Sequence, residues 1–152
     1  MRSRSRNAVA RFAAAADQFN EPGSWWTRLT ARRDEQPLDL KKLGTFPIVH
    51  GLRALALQYG VHATATAARA KALADTGHLE PDLARDLVDA LHALMALRLR
   101  HQLRQRREGA NATNLVLPSE LATLERDRLL DALAIVKRFR QFLRSHFRFD
   151  SL

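Results

Sequence analysis

Residues 81–108 read PDLARDLVDALHALMALRLRHQLRQRRE, and the pattern of this stretch decides the fold class. Apolar side chains recur every three or four positions along its whole length, which is the period of an α-helix. Pro81 suits the first turn of a helix, where its missing N–H costs nothing. We therefore predict one long helix over about residues 81–108, with an inner stripe of Ala84, Val88, Leu91, Met95, Leu99 and Leu103.

A second long helix is predicted over about residues 119–147. Ser119 is a suitable N-cap, and the inner face predicted for this helix is Leu129, Leu133, Val136, Leu143 and Phe147. At 1.5 Å per residue each long helix would extend roughly 40 Å. Because residues 109–118 form a short loop between them, the two helices are expected to pack as an antiparallel pair.

Three shorter helices complete the prediction. They cover about residues 7–19, the stretch from the cap Thr45 to Gly60, and the stretch from Thr64 or Thr66 to Gly77, with glycine at the ends as a stop signal. Residues 36–41 alternate and are expected to be extended, but no stretch alternates enough to support a sheet. The predicted fold is an all-α bundle of one domain, residues 1–152, with a flexible start over residues 1–6.

The composition is strongly basic, with 25 Lys and Arg against 16 Asp and Glu and a net charge of +9. Such a charge attracts polyanions at low salt. A solvated basic surface, a groove for a phosphate-bearing ligand and a nucleic-acid-binding module all fit it. There is no cysteine, which excludes disulfides and thiolate chemistry. No apolar run is long enough to span a bilayer and no signal segment is visible, so we expect a cytoplasmic protein without membrane contact.

A nucleotidyltransferase active site would need two carboxylates spaced two residues apart on a strand, after a Gly-Ser turn, to hold Mg²⁺. Gly23-Ser24 followed by Asp34 begins such a pattern, but the second carboxylate position is Gln36. We therefore expect no catalytic residue in this chain.

Two other chemistries receive weak support. Arg85 with His92, and Arg140 with His146, have the Arg-to-His spacing of small helical ribonucleases, but about two such pairs are expected by chance in so Arg-rich a chain. A ribonuclease is therefore a less favoured alternative. The six histidines are dispersed along the chain, so no metal site is predicted.

Three features single out residues for binding. Arg98 and Gln102 are one helical turn apart, so they could grip a phosphate or an amide together. Arg53 is predicted on an apolar helix face, where it needs an internal carboxylate such as Asp39 or a ligand. Arg69 falls in the first turn of its predicted helix, where free N–H groups could help to hold an anion.

Several short motifs occur in one order along the chain from about residue 10. They are Leu38-Asp39-Leu40-Lys41, Pro47-Ile48-Val49, Arg53-Ala54-Leu55-Ala56-Leu57, Gly60-Val61, Thr66 with Arg69, Leu97-Arg98-Leu99, His101-Gln102, Gly109, Asn114, Pro118, Leu121 and Glu125-Arg126. Together they resemble the nucleotidyltransferase substrate-binding domain of bacterial signalling proteins. The sequence departs from the family at Ala70, where a leucine is usual, and at Trp25-Trp26, where the family has Phe-Phe.

The resemblance implies a non-catalytic helical bundle that holds an acceptor for a nucleotidyltransferase catalytic domain, in the same polypeptide or a separate one. The residues that it implies for the groove or docking face are Arg53, Arg98 and Gln102, with Lys41 and Arg69 nearby. No cofactor is expected in this chain, since Mg²⁺ and the nucleoside triphosphate would be bound by the catalytic domain. The acceptor stays open and could be a protein, and an oligomer is compatible with the pattern.

Overall fold

A computed structural model of the chain describes residues 36–147, together with Val9, Arg11 and Ala14. Within that part the fold is built from four helices, which are α1 (Phe46–Gln58), α2 (Thr66–Asp75), α3 (Pro81–Arg107) and α4 (Thr123–Phe147). The all-α prediction is confirmed. The helix predicted over residues 7–19 is described only at those three positions, and residues 1–6 and Trp25-Trp26 lie outside the described residues.

The two long helices form the antiparallel pair that the sequence predicts. Arg138, late in α4, makes ion pairs with Glu80 and Asp86 at the start of α3. At the opposite end, the Arg104 guanidinium donates to the carbonyl oxygen of Glu120, just before α4. The apolar faces of α1 and α2 pack against this pair, so one core runs through all four helices.

Helix ends at glycine are predicted well. Gly60 and Gly77 follow α1 and α2 with φ of 66° and 76°. Residues that have a Cβ adopt such positive φ values only at an energetic cost. The α4 start is a correction, because Ser119 lies in a short 3₁₀ turn, Pro118–Glu120, and α4 begins at Thr123. There the Glu125 carboxylate accepts from the Ala122 N–H and caps the first turn.

The inner face predicted for α3 is partly wrong. Ala84 and Leu91 are buried, but Met95, Leu99 and Leu103 are 52%, 57% and 50% exposed. A second apolar series with the same period faces the core instead, and it consists of Leu83, Leu87, Ala90, Leu94 and Leu97. Adjacent helix positions differ by about 100°, so both series satisfy the helical period and the period alone cannot choose between them.

The segment before α1 is extended at Leu38–Asp39, as predicted, but the cap predicted at Thr45 is wrong. Leu38–Asp39 forms β1, and the chain then turns through a π-helical turn, Lys41–Thr45, directly into α1. Asp39, not Thr45, supplies the cap, because its Oδ1 accepts from the N–H groups of Lys41 and Lys42, each at 3.0 Å. In the sequence, this cap is recognisable as an Asp placed just before the helical run.

The sequence predicts no sheet, but the structure contains a small one of two strands. β1 pairs antiparallel with β2 (Leu115–Val116), which lies in the loop between α3 and α4, with Leu38 opposite Val116. Both of these residues are fully or almost fully buried. Two residues a strand are too few to produce a visible alternation, so the pairing depends on the core contacts of Leu38 and Val116 rather than on local pattern.

Candidate functional site

Arg98 of α3 lies against the π-helical turn that leads into α1. Its Nη1 donates to Thr45 Oγ1 at 3.4 Å, a long hydrogen bond. Its Nε is buried and has no hydrogen-bond partner. An arginine has five N–H donors, so most of the hydrogen-bonding capacity of Arg98 is not used within the part of the chain that the structure describes.

Gln102 lies one turn further along the same side of α3. Its Nε2 is 3.3 Å from the Thr113 carbonyl oxygen and 3.4 Å from Asn114 Oδ1. The Asn114 carbonyl oxygen in turn accepts from the Leu40 N–H at 3.0 Å. The loop before β2 and the start of the π-helical turn are therefore linked beside Gln102. We call the group formed by Lys41–Thr45, Arg98, Gln102 and Asn114 the turn site.

The position of the π-helical turn depends on Gly44. A Cβ at this position would lie 2.6 Å from Leu94 Cδ1 and 2.9 Å from its Cδ2. A larger residue would therefore require the Leu94 side chain to move, and the close approach that glycine permits brings Thr45 to Arg98. π-helical turns are rare in proteins, and those that occur are often found at functional sites. Thr45, Gly44 and Asn114 are site residues that the local sequence pattern does not single out.

Of the five residues predicted for binding, the structure places Arg98 and Gln102 together, and Lys41 joins them through its backbone, whose carbonyl oxygen accepts from Thr45 Oγ1. Arg98 and Gln102 belong to the turn site, and Lys41 is exposed at its first residue. Arg69 lies in the first turn of α2, as predicted, but its Nε donates to the Ala63 carbonyl oxygen at 2.9 Å. The structure shows no contact of Arg69 with the turn site.

Arg53 is exposed, two turns beyond Thr45 on α1. No carboxylate in the described part of the chain makes an ion pair with it, and Asp39 is occupied by its capping bonds. The internal ion pair expected for Arg53 is therefore not found in the described residues, and a ligand contact stays a prediction. Its charge acts on His50, whose pKa is lowered first by burial and then by the Arg53 guanidinium.

The Arg–His pairs of the ribonuclease alternative lie in different surroundings. Arg85 makes an ion pair with Asp82, and His92 is exposed. Arg140 is buried, whereas His146 is only partly buried and contacts the end of α1. The structure shows neither pair around a shared pocket.

His146 belongs to a ring cluster where α1, α4 and the turn before α3 meet. Its Nε2 is 3.2 Å from Tyr59 Oη and 2.7 Å from Gln58 Oε1. Tyr59 stacks on His78 with ring centroids 3.6 Å apart. Burial lowers the pKa of His146, and the charge of His78 lowers it further.

We predict that the free energy of unfolding falls on acidification through the range below pH 6.5, and that His146→Gln makes this dependence shallower. The folded-state pKa of His146 lies below its ordinary value of 6.5, so the unfolded chain binds more protons in that range. The stabilisation is present above pH 6.5 and is lost as the pH falls through the folded-state value. Urea unfolding at a series of pH values measures this.

The control for this prediction is His92→Gln, which changes an exposed histidine on α3. His50 contributes in the same direction as His146, so His146→Gln is expected to keep part of the pH dependence. An equal pH dependence in the wild type and in His146→Gln would contradict the prediction.

Two features missing from the described residues bear on other functions. Over residues 36–147 and the three described positions before them, no three histidine or carboxylate side chains are grouped as a metal ion would require. None of the helices in that part combines the length and the apolar character needed to cross a membrane.

The fold defines a class, an all-helical domain, in which Arg98 makes one long hydrogen bond to a π-helical turn. Residues 6–147 match the model of the family described as "Putative nucleotidyltransferase substrate binding domain". The match covers nearly the whole chain, so the chain belongs to this family, as its motifs predict. No curated protein and no solved structure matches the chain.

Proposed function

We propose that this chain is a non-catalytic domain that binds the acceptor substrate for a nucleotidyltransferase catalytic domain. The observation that carries the proposal is Arg98, whose Nε is buried without a partner and whose guanidinium makes one 3.4 Å hydrogen bond. Leaving a buried donor unpaired costs about 1–3 kcal/mol. Only the Nε of Arg98 is closed off from solvent, so a ligand would bind the Nη groups of this half-buried guanidinium, and a negative charge there would offset part of the cost.

The turn site favours an acceptor with an anionic or amide group. A guanidinium binds carboxylate or phosphate oxygens through two parallel hydrogen bonds, and the exposed Lys41 adds a second cation. The Gln102 amide can exchange its long bonds to Thr113 and Asn114 for a ligand group. Arg53 and Arg69 would contact a larger acceptor further along α1 and α2.

The contribution of the domain to the reaction would be position rather than chemistry. Holding the acceptor nucleophile near the α-phosphate of the nucleotide converts an encounter of separate molecules into a reaction within one complex. The catalytic domain, in the same polypeptide or a separate one, would bind Mg²⁺ and the nucleoside triphosphate. The family resemblance supports a role in bacterial signal transduction in the cytoplasm, with a small molecule or a protein as acceptor.

The experiment that tests the proposal is a transfer assay. The purified chain is mixed with the nucleotidyltransferase catalytic domain encoded in the same or a neighbouring reading frame, Mg²⁺, a triphosphate labelled at the α-phosphate, and an extract of the source cells. We expect label on a component of the extract only when both polypeptides are present. Mass spectrometry then identifies the labelled acceptor.

Two controls give the assay its meaning. The chain alone is expected to transfer no label, because the proposal assigns the chemistry to the catalytic domain. Transfer at an equal rate with and without the chain would contradict the proposal, as would transfer by the chain unaided.

A further inference from the structure

We propose that the outward face of α3 is a docking surface for a protein partner with an apolar centre and carboxylates on its flanks. This role of the surface does not depend on nucleotide transfer. At the centre of the surface are Met95, Leu99 and Leu103, which are half exposed although they are large and apolar. We call these three residues the outer stripe.

The outer stripe is a continuous feature and not a set of scattered residues. Its members are four residues apart, so they are neighbours on the helix surface, and the stripe extends about 12 Å. Single exposed apolar residues need no explanation, but a contiguous group marks an interaction site.

The position of α2 explains why this face is open. α2 lies beside the first turns of α3, where Ala67, Lys71 and Ala74 face Ala84 and Val88 across a groove. Val88 lies two turns before Met95 on the same face of α3. The apolar face that α2 covers at the start of α3 therefore continues, half exposed, along Met95, Leu99 and Leu103.

The positive charge of α3 near the outer stripe indicates the kind of partner that fits it. Between Ala90 and Arg107, α3 contains five arginines and no aspartate or glutamate, and these arginines are Arg98, Arg100, Arg104, Arg106 and Arg107. Arg106 and Arg107 are exposed just beyond Leu103, at the end of the outer stripe. Arg100 and Arg104 are also exposed, but on the side of α4, where Arg100 lines a groove with Glu125 and Arg104 donates to the Glu120 carbonyl oxygen. Protein interfaces combine an apolar centre with a polar rim, and a basic rim selects an acidic one. The occupant that fits is an apolar protein ridge flanked by carboxylates.

A second copy of this chain fits this surface less well. A two-fold contact would place each patch against itself, so the arginines of one copy would face those of the other. Nucleic acid would satisfy the arginines but leave the three apolar side chains without a matching surface. Both occupants are outcomes of the test below.

The test uses a fluorescent helical peptide whose leucines recur every four residues between flanking glutamates, titrated with the full chain and followed by anisotropy. We expect saturable binding that weakens about tenfold or more in the double variant Leu99→Ser/Leu103→Ser, because burial of two leucines is lost. The double variant Arg106→Gln/Arg107→Gln is expected to weaken binding mainly at low salt.

The matched control is Leu57→Ser. Leu57 is 59% exposed on α1, near the end of the molecule where Tyr59 meets His78, far from the outer stripe. Its replacement is expected to leave binding unchanged. A peptide with serine for leucine, and one with lysine for glutamate, are expected not to bind. Circular dichroism melts check that every variant is folded.

Several results would overturn the proposal. The first is equal binding of the peptide to the wild type and to Leu99→Ser/Leu103→Ser. The second is a dimer in sedimentation that this double variant converts to a monomer. The third is tight binding of duplex DNA, RNA or anionic vesicles that the double variant abolishes. The dimer would assign the stripe to a second copy, and the last results would assign it to nucleic acid or lipid. None of them bears on nucleotide transfer, so failure here is distinct from failure of the proposed function.

Discussion

Replacing Gly51 by valine is expected to lower the free energy of unfolding by about 3 kcal/mol, the upper part of the range for overpacked cores. Gly51 is buried in α1, and a Cβ there would lie 2.5 Å from Phe139 Cε1 and 2.7 Å from Leu143 Cδ1. Phe139 has no exposed surface and cannot move aside. In a domain of this size the loss corresponds to a fall in Tm of roughly 6–12 °C.

Urea unfolding of Gly51→Val, of Phe139→Leu and of the double variant checks this mechanism. If the clash with Phe139 causes the loss, the double variant will be more stable than the sum of the single effects predicts, by about 0.5–3 kcal/mol. Leu57→Val is the matched control, since it places valine at an exposed position of the same helix and is expected to change stability by about 0.5 kcal/mol. Strict additivity of the two single effects would contradict the proposed contact.

The number of long helices and most helix ends could be predicted from sequence because their causes are local. A glycine with positive φ ends α1 at Gly60 and α2 at Gly77, and Pro81 begins α3. The antiparallel pairing of α3 and α4 follows from their lengths and the short connection between them. Each of these features depends on a few neighbouring residues, which the sequence displays.

The buried face of α3 could not be predicted in the same way. Leu94 and Met95 are neighbours in an apolar run, and each belongs to a series with helical spacing. Which series is buried depends on where α1, α2 and α4 pack, and this is a property of the whole fold. Alanines and leucines occur on most sides of α3, so the sequence does not show which apolar series is buried. The structure shows that the series of Met95, Leu99 and Leu103 is the exposed one.

The candidate site was predicted in part for a related reason. Arg98 and Gln102 are recognisable from their spacing on one helix and from the family motifs. Their surroundings are contributed by Thr45, which is 53 residues from Arg98 in sequence, and by Asn114 in a loop. The close approach of Gly44 to Leu94 creates this neighbourhood, and no local pattern reports a contact across that distance.

Replacing Arg98 by methionine is expected to weaken acceptor binding by about 10- to 100-fold while leaving the stability of the fold unchanged or slightly increased. A hydrogen bond to a charged group contributes about 1.5–3 kcal/mol, and each 1.4 kcal/mol is a factor of ten in affinity. The fold loses one 3.4 Å bond to Thr45 and no longer buries an unpaired Nε, so the two effects on stability oppose each other.

The measurement is the acceptor KM and kcat in the reconstituted transfer assay, together with urea unfolding of the chain alone. Arg128→Met is the matched control, because Arg128 is an exposed helical arginine of α4 outside the turn site, and its removal is expected to leave the acceptor KM unchanged. A binding role for Arg98 raises KM without loss of stability, since its unused donors are then reserved for the ligand. A structural role has the opposite signature, a less stable chain with an unchanged acceptor KM, and that result would remove Arg98 from the site.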